Sequence, residues 1–207
     1  TQGVSSAASD VYKRQESSSL GQSMVDGARL YVDEVNRSGG IDGKKVALEI
    51  YDDHNDPLRA NDIAIDIVEA NQAFAVLGHY SSPCSYAAGK IYQKYGIPVI
   101  SPTATAPYLT VNNDWYFRNL SSDSMQGRFL ANYCDRVFGI DTVHVLFEDS
   151  NYGRDLAQTF GKEAVRLEID VADFVSFDPD EKTAFPQELK SVVKKLKNSP
   201  IQDFIFL

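Results

Sequence analysis

The chain of 207 residues is 43% hydrophobic, enough apolar material for one large domain or two small ones with real cores. Its 29 acidic and 20 basic residues leave a net charge of -9, which gives nucleic acid or anionic lipid no broad attractive field and argues against either as a partner. No apolar run approaches the roughly 20 residues that span a bilayer, and no signal-peptide pattern opens the sequence; a cytosolic protein, or one whose start is missing, is expected.

Residues 1–19 show no sustained period of 2 or 3.6 and read as a disordered or non-native tail. The run 4–15, VSSAASDVYKRQ, resembles translated library-adapter sequence; a flexible tag or linker is the alternative. From Ser19 a weak capping box with Gln22 introduces a helix carrying Met24, Ala28, Tyr31, Val32 and Val35, which stops at Gly39 and Gly40. Residues 46–51 alternate as a strand, and Asp56 before Pro57 starts a helix that turns Ala60, Ala64, Ile67 and Val68 inward. The continuous apolar run 74–77 predicts a strand covered on both faces, ending at Gly78. A third helix, with Ala88, Ile91, Tyr92 and Tyr95 on one side, ends at Gly96, and 97–100 is a further buried strand.

Residues 115–117 form a possible short strand, and Asp123 with Gln126 gives a second capping pattern before a helix through Phe129, Tyr133 and Val137. The alternation continues through a strand at 143–147, a helix from near Tyr152, a strand at 171–177, a helix at 185–197 and the apolar run 204–207. Strands alternating with helices of this length predict an α/β fold of parallel sheets with helices on both faces. Both ends of the sequence look abrupt, and the fold is expected to be incomplete at each.

Parallel sheets bind ligands beyond the carboxyl ends of their strands. Three such exits carry hydroxyl or aromatic side chains: 78–83 (GHYSSP), 101–105 (SPTAT) and 148–153 (EDSNYG). Ser82 is expected at a helix N-cap because Pro83 suits the first helical position, and a helix start presents unpaired amides to a carboxylate or phosphate. Taken singly, Ser82 reads as a cap, Thr105 as a turn residue and Tyr152 as core; three such loops at one end of successive strands favour a site.

Other chemistry finds less support. There is no nucleophile elbow, and His54, His79 and His144 lack metal-ligand spacing. The run 39–45 has neither the spacing nor the hydroxyl residue of a phosphate loop, and at 52–56 (DDHND) Pro57 spoils a calcium-loop register. Neither a metal nor a cofactor is expected. Cys84 and Cys134 lie in amphipathic stretches where buried free thiols are the ordinary reading. A cytosolic enzyme using Cys84 near His79 would need a third, orienting group that the sequence does not supply.

Seven stretches together resemble the periplasmic solute-binding proteins of the leucine/isoleucine/valine-binding type: GQSMVDGA from Gly21, NRSGGIDGK from Asn36, YDDHNDP from Tyr51, VLGHYSS from Val76, GIPVISPTATAPYLT from Gly96, DSMQG from Asp123 and EDSNYG from Glu148. They run in order through residues 20–207. The resemblance implies a type I periplasmic-binding fold of two α/β lobes closing on a ligand, with lobe 1 over 20–119, lacking its first strand, and lobe 2 over 120–207, truncated.

It also implies that Ser82 and Thr105 grip the carboxylate and ammonium of an amino acid, aided by backbone groups at Ser81, Thr103 and Ala104, and that Tyr152 closes over the ligand. Leu20 stands where branched-chain binders carry an aromatic residue. The first-lobe disulfide of some members would fall on Asn55 and Ser81, so this chain lacks it. The acidic group of lobe 2 that meets the ammonium is expected beyond residue 207. The implied role is capture of a branched-chain or related amino acid for the membrane permease of an ABC transporter, by a monomer that is not an enzyme, in the periplasm or on the extracellular face. The alternative is the ligand-sensing ectodomain of a membrane receptor or sensor kinase, which the same module can form.

Overall fold

A computed structural model describes residues 2–6, 17–178, 190, 194 and 204–207. The chain divides into two compact units, Thr1–Leu120 and Ser121–Leu207; the sequence reading placed this division after residue 119.

Unit 1 holds a five-stranded parallel sheet made by β1 (Gln2–Ser6), β2 (Val46–Ile50), β3 (Ala73–Leu77), β4 (Val99–Ser101) and β5 (Tyr116–Arg118), in the order β2-β1-β3-β4-β5. Its helices are α1 (Ser17–Arg37), α2 (Pro57–Ala70) and α3 (Ser82–Tyr95). Local chemistry sets the helix ends. Asp56 accepts from the Leu58 amide at 2.8 Å to cap α2, which stops at Asn71 in the left-handed region, and α3 stops at Gly96 with φ 68°. The core forms where α2 (Ala60, Ala64, Ile67) and α3 (Ala88, Tyr92) meet Val76 and Val99 of the sheet, each at most 1% exposed. These are the positions that helical spacing and the apolar runs select.

Unit 2 holds a three-stranded parallel sheet, order β7-β6-β8, of β6 (Thr142–Glu148), β7 (Asp170–Phe177) and β8 (Phe204–Phe206). Helix α4 (Asp123–Tyr133) continues as a π-type turn, Cys134–Phe138, and α5 (Asn151–Arg166) follows β6. The two helices pack closely because Gly127 has no side chain: a Cβ there would lie 2.9 Å from the backbone of Leu156 and Phe160. Phe160, Val143, Ala157 and Ala164 make the centre of this second core.

Several expectations change. Gln2–Ser6 is a strand, not tail, and fills the sheet position expected to be missing; it pairs with β2 from Gln2↔Val46 to Ser6↔Ile50 and also with β3. Its composition carries no strand pattern, so its conformation follows from backbone groups offered on both sides by β2 and β3. Residues 7–16 of the expected tail, and the helix expected at 185–197 apart from the helical Lys190 and Lys194, lie outside the described residues. The second face of the unit 1 sheet is only partly covered, since Phe74, Ile100 and Phe117 are 40%, 42% and 50% exposed while the core lies on the face of α2 and α3. Tyr31 and Tyr95, expected on the apolar stripes of their helices, are exposed as well. No described helix is long and apolar enough to cross a membrane.

Candidate functional site

The corner after β3 is built on Gly78, whose φ of 145° suits only a residue without a side chain, and its peptide bond to His79 is cis. Three successive carbonyls of this corner accept hydroxyl groups from elsewhere in the unit. Tyr116 donates to the Gly78 oxygen at 3.1 Å, Ser85 and Ser101 to that of His79 at 3.3 and 3.0 Å, and Thr103 to that of Tyr80 at 2.7 Å. The His79 ring, fully buried, meets Asp53 Oδ2 through Nδ1 at 2.5 Å and the Tyr92 hydroxyl through Nε2 at 3.3 Å. Burial pushes the Tyr92 phenol far above its ordinary value and that of Tyr116 up to about 12, so both remain protonated donors.

Helix α3 then begins at Ser82, one residue earlier than a cap at Ser82 would require; Ser81 is the N-cap and Pro83 sits inside the first turn. The sequence expectation is corrected for a simple reason: a proline is tolerated throughout the first turn, where amides have no intrahelical partner, so it does not fix the cap position. The Ser81 side chain makes no capping hydrogen bond, and its buried Oγ has no hydrogen-bond partner among the described residues. Ser82 Oγ accepts from the Ala106 amide at 3.2 Å, which ties the start of α3 to the loop after β4.

In that loop Ser101 Oγ accepts from the amides of Thr103 and Ala104 at 3.4 and 3.0 Å. The carbonyls of Thr105, Ala106 and Pro107 accept from the Arg118 guanidinium at 2.7, 3.0 and 3.3 Å, and Arg118 also donates to Thr110 Oγ1 at 3.0 Å. Thus unit 1 brings together Ser81, Ser82, Thr103, Ala104 and Thr105. Thr103 donates its hydroxyl to the Tyr80 carbonyl.

Tyr152 lies in unit 2, in the first turn of α5, whose cap Ser150 accepts from the Gly153 amide at 3.1 Å. It is 43% exposed and so not a core residue; its hydroxyl donates to Gln126 Oε1 at 3.2 Å. Partial burial, then the carboxylates of Asp123 and Glu148, raise its phenol above the ordinary value. Leu20 falls within α1, and its side chain lies outside the described atoms.

Nucleophilic chemistry at Cys84 loses its geometry. Cys84 is fully buried with its thiol directed to Asn55 Oδ1 at 3.7 Å, and His79 is held by Asp53 and Tyr92. In the 52–56 loop, Asp52, Asp53 and Asp56 each accept an amide two residues on, and among the described residues no group of three or more potential ligands could hold a metal. The sequence reading missed Asp53, His79, Ser101, Tyr116 and Arg118 as supports of the site. A signal for two of them existed: Ser101 and Arg118 stand at the carboxyl ends of β4 and β5, where ligand loops begin.

A family model described as periplasmic binding protein matches residues 16–204. The chain belongs to this family. The strand Gln2–Ser6 lies before the matched stretch of this periplasmic binding protein. The chain is 30% identical over 181 residues to the leucine-, isoleucine-, valine-, threonine- and alanine-binding protein of Pseudomonas aeruginosa, an alignment that takes in 87% of this chain and 47% of that protein. Among solved structures it is similar to the branched-chain amino acid transporter substrate-binding protein LivJ of Streptococcus pneumoniae in complex with isoleucine, with TM-score 0.78 and 25% identity over 99% of this chain and 55% of that one. A solute-binding protein of Rhodopseudomonas palustris in complex with 3,4-dihydroxybenzoic acid shares the fold, with TM-score 0.80 at 15% identity over 100% of this chain and 55% of that one. The chain therefore spans about half the length of the relatives it matches. The leucine/isoleucine/valine-binding resemblance and the type I periplasmic-binding fold read from the sequence both stand.

Proposed function

We propose that this chain carries the carboxylate-gripping half of an extracytoplasmic solute-binding protein, which captures a branched-chain or related amino acid and delivers it to the permease of an ABC transporter. One observation carries the reading. The N-cap serine of α3, Ser81, does not cap it, and its buried hydroxyl has no hydrogen-bond partner among the described residues, beside Ser82 and the Thr103–Thr105 loop. A helix start without a side-chain cap suits a ligand carboxylate, which would accept from first-turn amides and from hydroxyl groups together.

In this reading Ser82 and the backbone at Ser81 hold the carboxylate, Thr105 with the backbone at Thr103 and Ala104 holds the ammonium, and Tyr152 closes over the ligand as two lobes come together. Isoleucine and 3,4-dihydroxybenzoic acid, the ligands of the two similar structures, have a carboxylate in common. That is the group a helix start reads, so this corner supplies affinity for the class and leaves the choice among side chains to other residues, Leu20 among them. A few charge-assisted hydrogen bonds at roughly 1.5–3 kcal/mol each must offset an association cost of about 4 kcal/mol or more. Binding near -8 kcal/mol, in the micromolar range, is expected of the full-length protein. It acts as a monomer without catalysis, in the periplasm or on the extracellular face.

A thermal-shift screen of the full-length protein against the 20 amino acids, benzoate and 3,4-dihydroxybenzoate tests the class. Stabilisation by aliphatic or small polar amino acids is expected. Stabilisation by the aromatic acids alone would overturn the amino-acid reading.

A further inference from the structure

Arg118 is the last residue of a three-residue strand, in register with Ser101, and its guanidinium does not face open solvent as a strand-end arginine usually does. It spans the loop after β4, donating through Nη1 to the carbonyls of Thr105 and Ala106 and through Nη2 to that of Pro107 and to Thr110 Oγ1. A planar fork with five donors in fixed geometry can fasten three consecutive carbonyls and a hydroxyl at once; an ammonium has only three donors, gathered at a single point. The same loop is anchored from its other side. Ser101 Oγ holds the amide of Ala104, and Ser82 Oγ accepts from the amide of Ala106.

Thr105 is therefore the residue between two pinned neighbours, with its own carbonyl fixed by Arg118. Ala106 is a mechanical link, because Arg118 holds its carbonyl while its amide reaches Ser82. We propose that Arg118 is a positioning residue for solute binding: it does not touch the solute, and it sets the Thr105 hydroxyl directly and the Ser82 hydroxyl through Ala106. The inference rests on the reading of Ser82 and Thr105 as the grip.

The test is a double-mutant cycle in the full-length protein, titrated calorimetrically with L-isoleucine, with thermal melts recorded in parallel. Arg118→Gln weakens binding about tenfold or more, as expected when charge-assisted hydrogen bonds that order a site are removed. Arg118→Lys restores part of the loss, and Thr110→Ala, which deletes one acceptor of four, costs less than about threefold. The deciding result is the combination with Thr105→Ala. Once the Thr105 hydroxyl is gone, Arg118→Gln can show only the part of its effect that runs through Ser82, so the two losses fall short of additive, whereas a purely structural effect on stability would add.

Additive losses, or parent affinity in Arg118→Gln, would overturn the inference. Should Arg118→Gln fail to fold, Arg118→Lys decides in the same cycle: parent affinity in it, or additivity with Thr105→Ala, counts equally against. The two ideas fail separately. Parent affinity in Thr105→Ala, or no stabilisation of the parent protein by any of the 20 amino acids, sinks the amino-acid grip itself; a weakened Thr105→Ala with an unaffected Arg118 series sinks only the positioning role.

Discussion

The corners after β3 in unit 1 and after β6 in unit 2 share a plan, a parallel strand leading into a helix with serine at the N-cap position, yet they are held very differently. In unit 1 three consecutive carbonyls, 78–80, are fastened by hydroxyl groups from α3, β4, β5 and the loop after β4, and the His79 ring is locked by Asp53 and Tyr92. In unit 2 the cap is conventional, Arg154 pairs with Asp149 at 2.8 Å on the exposed surface, and Tyr152 keeps 43% of its surface open with its hydroxyl donating to Gln126. One corner is fastened from several elements, and the other presents a half-exposed side chain. A preformed half lowers the ordering cost of binding, while a side chain with few contacts can move onto the bound solute at little cost.

The contrast can be broken most strongly at Asp53. Replacing it by alanine leaves the fully buried His79 ring without its short partner, and a loss of about 3 kcal/mol is expected for breaking a buried pair of this kind. The single tryptophan, Trp115, lies in unit 1, so urea unfolding followed by its fluorescence reads this loss directly. An unchanged midpoint would mean that the unit 1 corner is not held for the reason given. The matching test in unit 2 is Gly153→Ala. A Cβ there would stand 2.1 Å from the Glu148 carbonyl oxygen, so the corner must shift, at about 1–3 kcal/mol. The far-UV circular dichroism midpoint should fall while the Trp115 transition moves less.

Tyr152 sharpens the contrast at smaller scale. Tyr152→Ala should leave the melting temperature within a degree or two, since an exposed residue stabilises little, and weaken solute binding about tenfold, on the scale of one aromatic contact. A drop in stability equal to the drop in affinity would return Tyr152 to a structural role. The smallest effect lies away from both corners, at Glu163. Hydrogen bonds from Arg166, then Asn132, hold its carboxyl below the ordinary value. A depressed folded value means that the contribution to stability is present above the unfolded pKa of about 4.3 and is lost as pH falls through the folded one. Glu163→Gln should therefore lower the melting temperature at pH 7 and differ less from the parent at pH 3. An equal difference at both would contradict this assignment.

The architecture was readable because it is periodic. Ala60, Ala64, Ile67 and Val68 repeat at helical spacing and are all buried, and the apolar runs at β3, β4 and β6 stand where the strands do. The sequence singled out 78–85 and 101–105 as a candidate site because parallel sheets leave their strand-end loops open to ligands, and the Ser82–Ala106 hydrogen bond ties the two loops together. What holds those loops was not readable, since the partners are far apart in the chain: Tyr116 is 38 residues from Gly78 and Asp53 is 26 from His79. No local pattern marks a hydroxyl that will meet a distant carbonyl. The cap at Ser81 was misplaced by one residue because Pro83 permits either position, and β1 was missed because its conformation is imposed by its neighbours.

The central claim is that the unit 1 corner grips an amino acid through Ser82 and Thr105. Isothermal titration of the full-length protein with L-isoleucine, parent against Ser82→Ala with Thr105→Ala, tests it most directly. Removal of two hydrogen bonds to charged groups, each about 1.5–3 kcal/mol, predicts binding weakened by at least about a hundredfold with the fold intact by circular dichroism. Undiminished affinity in the folded double variant would contradict it.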